Sequence, residues 1–122
     1  MTPTIERLRP SDPILDPIRN DDVEASTDIW LVRFDGEPAT ILGVLSTTVM
    51  SAEAYVWTYH WPIIRQYRKT FMQLSRSIIA ELFQRYNVLY GLTKADTAWL
   101  DHLGATYGAD FRGLKTFVIR NG

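Results

Sequence analysis

The sequence predicts an α+β domain, a mixed and mostly antiparallel sheet with a long helix packed on one face, and three observations carry that prediction. Ile64, Tyr67, Phe71, Leu74, Ile78 and Leu82 recur at steps of three or four across Ile64 to Tyr86, the period of one helix face, and no Gly or Pro interrupts the run. Short segments rich in β-branched and aromatic residues surround it. Two of them are joined by Asp35-Gly36, a pair that supplies the positive φ of a tight hairpin turn. After the helix, Val88 to Thr93 is apolar enough for a central strand buried on both faces.

Taken in order, Thr4 to Leu8 alternates weakly and reads as a first strand, with Ile5 and Leu8 as its buried residues. Ser11 and Asp12 can cap a short helix that has Pro13 at its first position. Asn20 to Glu24 is acidic and reads as an exposed connection. Asp28 to Phe34 and Pro38 to Ser46 are the two arms of the hairpin around Asp35-Gly36. Met50 to Glu53 reverses the chain, and Ala54 to Tyr59 returns as an aromatic, β-branched strand. Pro62 then ends strand pairing or opens the long helix, and Asn87 closes that helix. A second helix runs from about Ala95 to Leu103 and stops at Gly104 as its C′ residue. Ala105 to Phe111, Arg112-Gly113 and Lys115 to Arg120 finish as a hairpin.

At 122 residues the chain has the length of one domain, 1–122, and its 46% hydrophobic content excludes a disordered polymer. Its longest apolar runs fall far short of a membrane span, and no charged start is followed by an apolar stretch, so a soluble, non-secreted chain is expected. There is no cysteine, which removes disulfides, thiolate nucleophiles and thiolate metal sites. A net charge of −1 argues against a dedicated nucleic-acid binder. The charges are unevenly spread: residues 1–28 hold seven acids against three Arg, whereas residues 60–90 hold five Arg or Lys against Glu81 alone.

Three of those cations, Arg65, Arg68 and Lys69, crowd the first two turns of the long helix, where the helix dipole is positive and an acid is the usual occupant. Either an anion docks there or solvent screens the clash. His60, at the end of the aromatic strand, has the side chain best suited to act as a base near neutral pH, and Glu53, at the start of that strand, is a second base candidate. Packing is the commoner use of a histidine between Tyr59 and Trp61. With two His and no paired ligands at recognisable spacing, no metal site is expected. Alternation sends Tyr55, Trp57 and Tyr59 to one face of the strand and Val56, Thr58 and His60 to the other.

The element order, with Tyr55-Val56-Trp57-Thr58, Tyr67-Arg68-Lys69 and Leu100-Asp101-His102-Leu103-Gly104-Ala105, resembles the GNAT superfamily of N-acetyltransferases. Within it, the chain is most similar to the small GNAT-like internal virion proteins of short-tailed phages. The resemblance implies acetyl-CoA as the cofactor, if there is one. In the family, a loop reading Gln or Arg, two residues, Gly, one residue, then Gly or Ala lets backbone N–H groups approach the cofactor pyrophosphate at a helix N-terminus. The matching residues here are Arg65-Gln66-Tyr67-Arg68-Lys69-Thr70, so Arg68 and Thr70 stand where small residues are needed. A rebuilt site would use Arg65, Arg68 and Lys69 as direct cationic contacts, and the backbone of Thr58, Tyr59 and His60 would hold the pantetheine.

The family also has an Asn at the end of the next strand and a Tyr on the following helix that protonates the leaving thiolate. Counting back from Gly104, these positions are Thr93 and Leu100. A leucine donates no proton. The resemblance therefore implies a phage structural or accessory protein on a degenerate, non-catalytic acetyltransferase scaffold, found in the virion or the host cytoplasm and partnered by other phage or host proteins. The alternative is an acetyl-CoA-dependent N-acetyltransferase with a rebuilt cationic pyrophosphate site.

Overall fold

The computed structural model describes residues 3–46, 52–93 and 98–121. The chain forms β1 (Thr4–Arg7), a 3₁₀ helix (Pro13–Ile18), α1 (Asp21–Ala25), β2 (Asp28–Phe34), β3 (Glu37–Leu45), β4 (Glu53–His60) and a second 3₁₀ helix (Pro62–Tyr67). It continues through α2 (Arg68–Leu82), β5 (Val88–Thr93), α3 (Ala98–His102), β6 (Thr106–Phe111) and β7 (Leu114–Arg120). The strands join in the order β1-β2-β3-β4-β5-β7-β6. β4 and β5 pair in parallel, and β1–β2, β2–β3, β5–β7 and β6–β7 pair antiparallel, which is the mixed, mostly antiparallel α+β arrangement the sequence predicts. Contacts divide the chain into two compact units, Met1–Ser46 with Val56–Arg68 and Thr47–Tyr55 with Lys69–Gly122.

In the first unit, Asp35 (φ 51°) and Gly36 (φ 81°) both take the left-handed conformation, so the β2–β3 hairpin closes as predicted. Leu15, Val23, Ile29, Leu31 and Ile41 form its buried core, with Leu8, Trp57 and Trp61 packed against it. Asp12 caps the Pro13–Ile18 helix by accepting from Ile14 N–H at 3.0 Å. Asn20 to Glu24 is not an open connection. Asn20 Oδ1 accepts from Val23 N–H at 2.9 Å and caps α1, whose first turn gathers Asp21, Asp22 and Glu24 at the positive end of the helix. That cap turns Val23 into the core. Ile5, expected to be buried, is 44% exposed because β1 is a short edge strand, and Leu8 just beyond it reaches the core instead.

The acidic bias of this unit is answered internally. Arg19 contacts Glu24 at 2.6 Å and Asp16 at 2.8 Å, Arg33 contacts Glu6 at 2.9 Å, and Arg7 contacts Asp28 at 3.2 Å. The hydrogen bond that Arg19 donates to Glu24, followed by those it donates to Asp16, raises the Arg19 pKa and keeps its charge fixed.

α2 begins at Arg68, the last residue of the first unit, and not at Ile64. Trp61 supplies no side-chain cap and Pro62 holds the first position, so the chain winds through a 3₁₀ segment before the α-helix is established. Its buried face is Phe71, Ser75, Ile78, Ile79 and Leu82. Ser75 takes the place that periodicity gives to Leu74. β5 is also not buried on both faces: Leu89 and Gly91 are buried, while Val88, Tyr90 and Leu92 are half-buried. Phe117 and Ile119 of β7 are buried as well. Chain connectivity explains the asymmetry. β4–α2–β5 and β5–α3–β6 are both crossovers between parallel strands, and right-handed crossovers running in one direction lay both helices on one face of the sheet.

Gly104 (φ 78°) follows α3 as the expected C′ residue, and Arg112 (φ 51°) and Gly113 (φ 79°) turn the last hairpin. The predicted reversal from Met50 and the first residues of the predicted second helix lie outside the described residues.

One close approach fixes the first unit. A Cβ on Gly43 of β3 would overlap the Trp57 indole, whose Nε1–H donates to Ser26 Oγ at 2.7 Å. Gly43→Ala is therefore expected to destabilise the protein by about 2 kcal/mol or more through forced displacement of the indole, measured by urea unfolding followed through tryptophan fluorescence. Gly36→Ala, with open space around its Cβ, should lose only about 1 kcal/mol from its positive φ.

Candidate functional site

β4 carries His60 to the end of the aromatic strand, and β3 sets Thr40 beside it. Thr40, buried in the sheet, places Oγ1 3.2 Å from the carbonyl of Tyr59 and 2.8 Å from His60 Nδ1. A hydroxyl has one hydrogen, and a carbonyl can only accept. Both contacts are hydrogen bonds when Thr40 donates to Tyr59 and His60 Nδ1–H donates to Thr40, which holds the neutral imidazole with its lone pair on Nε2. Sequence reasoning found His60 but not Thr40, since the two are 20 residues apart and only strand pairing joins them. The same hydroxyl occupies a carbonyl of the Thr58–His60 backbone proposed for pantetheine.

Arg65 and Arg68 lie where the 3₁₀ helix runs into α2, and both are exposed. Among the described residues, neither they nor Lys69 makes an ion pair. The backbone beside them differs from a glycine cradle. In a 3₁₀ helix each N–H is turned toward the carbonyl three residues back, so the Pro62–Tyr67 segment directs its amides along its own axis. The side chains match an anion in charge, and the backbone does not form a phosphate nest. Acetyl-CoA therefore does not fit here in the way the family's loop would hold it.

The resemblance aligns Leu100 with the family's acid and Thr93 with its asparagine. Leu100, on α3, is fully buried at 0% exposure and serves as core. Thr93, at the end of β5, is half-buried. Of the predicted site residues, Thr58, Tyr59, His60, Arg65 and Arg68 fall in the first unit, and Glu53, Lys69 and Thr70 in the second. Glu53 and His60 occupy opposite ends of β4 and cannot act as alternatives at one point. Among the described residues no cluster of His, Asp and Glu could hold a metal ion.

A further pairing escaped sequence reasoning. Tyr67, predicted as part of the helix face, stacks on Phe34 with ring centroids 4.9 Å apart and donates its hydroxyl to Asp35 Oδ2 at 2.9 Å. That hydrogen bond, then partial desolvation, raises the Tyr67 pKa above the ordinary phenol value. The Pro62–Tyr67 segment is thus tied to the hairpin turn.

No family model matches the sequence, and no curated protein sequence is similar to it. Solved structures are similar in fold. Mutant forms of the spermidine/spermine N-acetyltransferase from Vibrio cholerae align with a TM-score of 0.70 at 11% identity over 98% of this chain and 95% of that one. IAA acetyltransferase from Bacillus cereus aligns at 0.68 and 10% identity over 98% and 100%. N-acetylglutamate synthase from Neisseria gonorrhoeae, solved with coenzyme A and N-acetyl-glutamate, aligns at 0.65 and 12% identity over 98% of this chain and 35% of its own. The fold is that of the GNAT acetyltransferases.

Two outcomes follow from this geometry. Thr40→Val should convert His60 from the Nδ1–H tautomer toward Nε2–H, seen in long-range ¹H–¹⁵N spectra of the imidazole, while Thr40→Ser should leave the wild-type pattern. In an alkaline spectrophotometric titration, Asp35→Asn should bring the Tyr67 ionisation back toward pH 10. Because the folded-state pKa is the raised one, the stability contributed by the Tyr67–Asp35 bond is present below about pH 10 and fades as pH climbs through the folded value.

Proposed function

We propose that this protein is a GNAT-fold scaffold that does not transfer acetyl groups by the family's route and serves as a structural or accessory protein in phage assembly. The observation that carries the reading is Leu100: the position of the family's thiolate-protonating tyrosine holds a fully buried leucine. A proton donor there would require dismantling part of the core. The 3₁₀ segment at Pro62–Tyr67 supports the reading independently, since it replaces the glycine loop with turns whose amides face inward. The phage assignment, with virion or host cytoplasm as its location and phage or host proteins as partners, rests on the likeness of Tyr55-Val56-Trp57-Thr58, Tyr67-Arg68-Lys69 and Leu100 to Ala105 to internal virion proteins. Among the described residues, no helix is long and apolar enough to cross a membrane.

One observation favours a second reading, an acyl-CoA-dependent N-acyltransferase. Thr40 orients His60 as a base with its lone pair on Nε2, and Arg65 and Arg68 are exposed cations following it in the chain. In that reading the arginines, continued by Lys69 and Thr70, bind phosphate oxygens and His60 takes the amine proton. Glu53, at the other end of β4, plays no part at the same point.

Calorimetric titration with acetyl-CoA at low and moderate salt separates the two. The scaffold reading expects no saturable binding up to millimolar ligand. Micromolar binding that disappears in the Arg65→Ala, Arg68→Ala double variant would overturn it in favour of the acyltransferase.

A further inference from the structure

Among the described residues of the second unit, one face of β4, β5 and β7 carries an open depression, and the charges at its rim are arranged symmetrically. Strand pairing sets Glu53, Val88 and Arg120 in one row across β4, β5 and β7, and Tyr55, Tyr90 and Val118 in the next. Side chains two residues apart on a strand share a face, so these six share one. Val88, Tyr90 and Val118 are half-buried, whereas their neighbours Leu89 and Ile119 are buried on the helix side. An open depression of about 450 Å³ lies over this face. Tyr55 and Tyr90 stand edge to face in it, ring centroids 5.6 Å apart. At its rim are two exposed ions of opposite sign, Glu53 one strand to one side of β5 and Arg120 one strand to the other.

We propose that this face binds a second copy of the chain, sheet on sheet, about a two-fold axis running along β5. The charges select both the partner and the axis. A two-fold along β5 exchanges the flanking strands, so each Glu53 comes to lie over Arg120 of the other copy and the two Tyr90 rings meet near the axis. A two-fold across the strands through Val88 would instead set Glu53 on Glu53 and Arg120 on Arg120. An acid and a base equally spaced about a central apolar strand is the self-complementary pattern an isologous contact needs. Packed sheets lie roughly 10 Å apart, within the combined reach of a glutamate and an arginine. The patch is small beside most stable interfaces, so the dimer forms with rising concentration. The contact is independent of whether the protein transfers acetyl groups.

Sedimentation equilibrium across the micromolar range tests it. The wild-type chain is expected to dimerise, and Glu53→Arg and Arg120→Glu are each expected to raise the dimer dissociation constant about tenfold or more by bringing like charges together. An equimolar mixture of those two variants should recover the dimer, because every facing pair in the heterodimer is again of opposite sign. A chain that stays monomeric, a dimer indifferent to both substitutions, or a mixture that does not recover overturns the proposal. Both positions are exposed, and circular dichroism checks that the variants fold. Because the chain has no cysteine, a Tyr90→Cys variant carries a single thiol. A bismaleimide spanning about 10 Å should join two copies of it, whereas Glu81→Cys, on the exposed side of α2, should give only background. Equal cross-linking of the two variants would also overturn the proposal.

Discussion

The first unit depends on a missing side chain. The Trp57 indole fills the space in which Gly43 would carry a Cβ, and it donates its one hydrogen bond to Ser26. β4 is thereby held against β3 by shape and against the end of α1 by a polar contact. The indole and Trp61 close one side of the cluster formed by Leu15, Val23, Ile29, Leu31 and Ile41, so the short helical segments after β1 have an apolar floor to rest on. Two residues later on β4 the chain reaches Tyr59, whose carbonyl takes the Thr40 hydroxyl, and then His60. Position along one strand connects the packing of the tryptophan to the chemistry of the histidine.

On the reading proposed above, the fold and its chemistry have separated in this protein. A GNAT sheet and its crossover helices need only the right pattern of strands, turns and apolar faces, and these are present. Acetyl transfer needs in addition a backbone that can approach a pyrophosphate and a proton donor for the leaving thiolate. By the resemblance, Arg68 and Thr70 stand at the permissive positions of the first, and Leu100, a core side chain, at the position of the second. A buried leucine contributes on the order of 2 kcal/mol of hydrophobic stabilisation.

Much of the architecture was legible because its signals are local. Asp35-Gly36 and Arg112-Gly113 each put two successive residues at positive φ, and each closes a hairpin. Asp12 with Pro13 marked a helical start, although the turns there are 3₁₀. The misses have common causes. Asn20 to Glu24 is polar enough to pass for a loop, and its helix depends on a cap that only the folded chain discloses. Ile5 satisfies a periodic pattern but lies exposed on a short edge strand, and on α2 Ser75 is buried while Leu74 is half-buried. Val88 to Thr93 is apolar throughout, and composition alone does not say which face of a strand the crossover helices will cover. In the candidate site, His60 was legible from its residue type. Thr40 and Asp35 were not, since each meets its partner through sheet pairing or turn geometry and not through spacing in sequence.

On the reading proposed above, the acetyltransferase fold persists here without the family's reaction, and release of the coenzyme A thiol tests this most directly. Purified protein incubated with acetyl-CoA and pools of polyamines, amino acids and amino-terminal peptides is predicted to liberate thiol no faster than the protein-free mixture. Amine-dependent release that survives in the wild type and vanishes in His60→Ala would contradict the claim and identify an acyltransferase working without the usual acid.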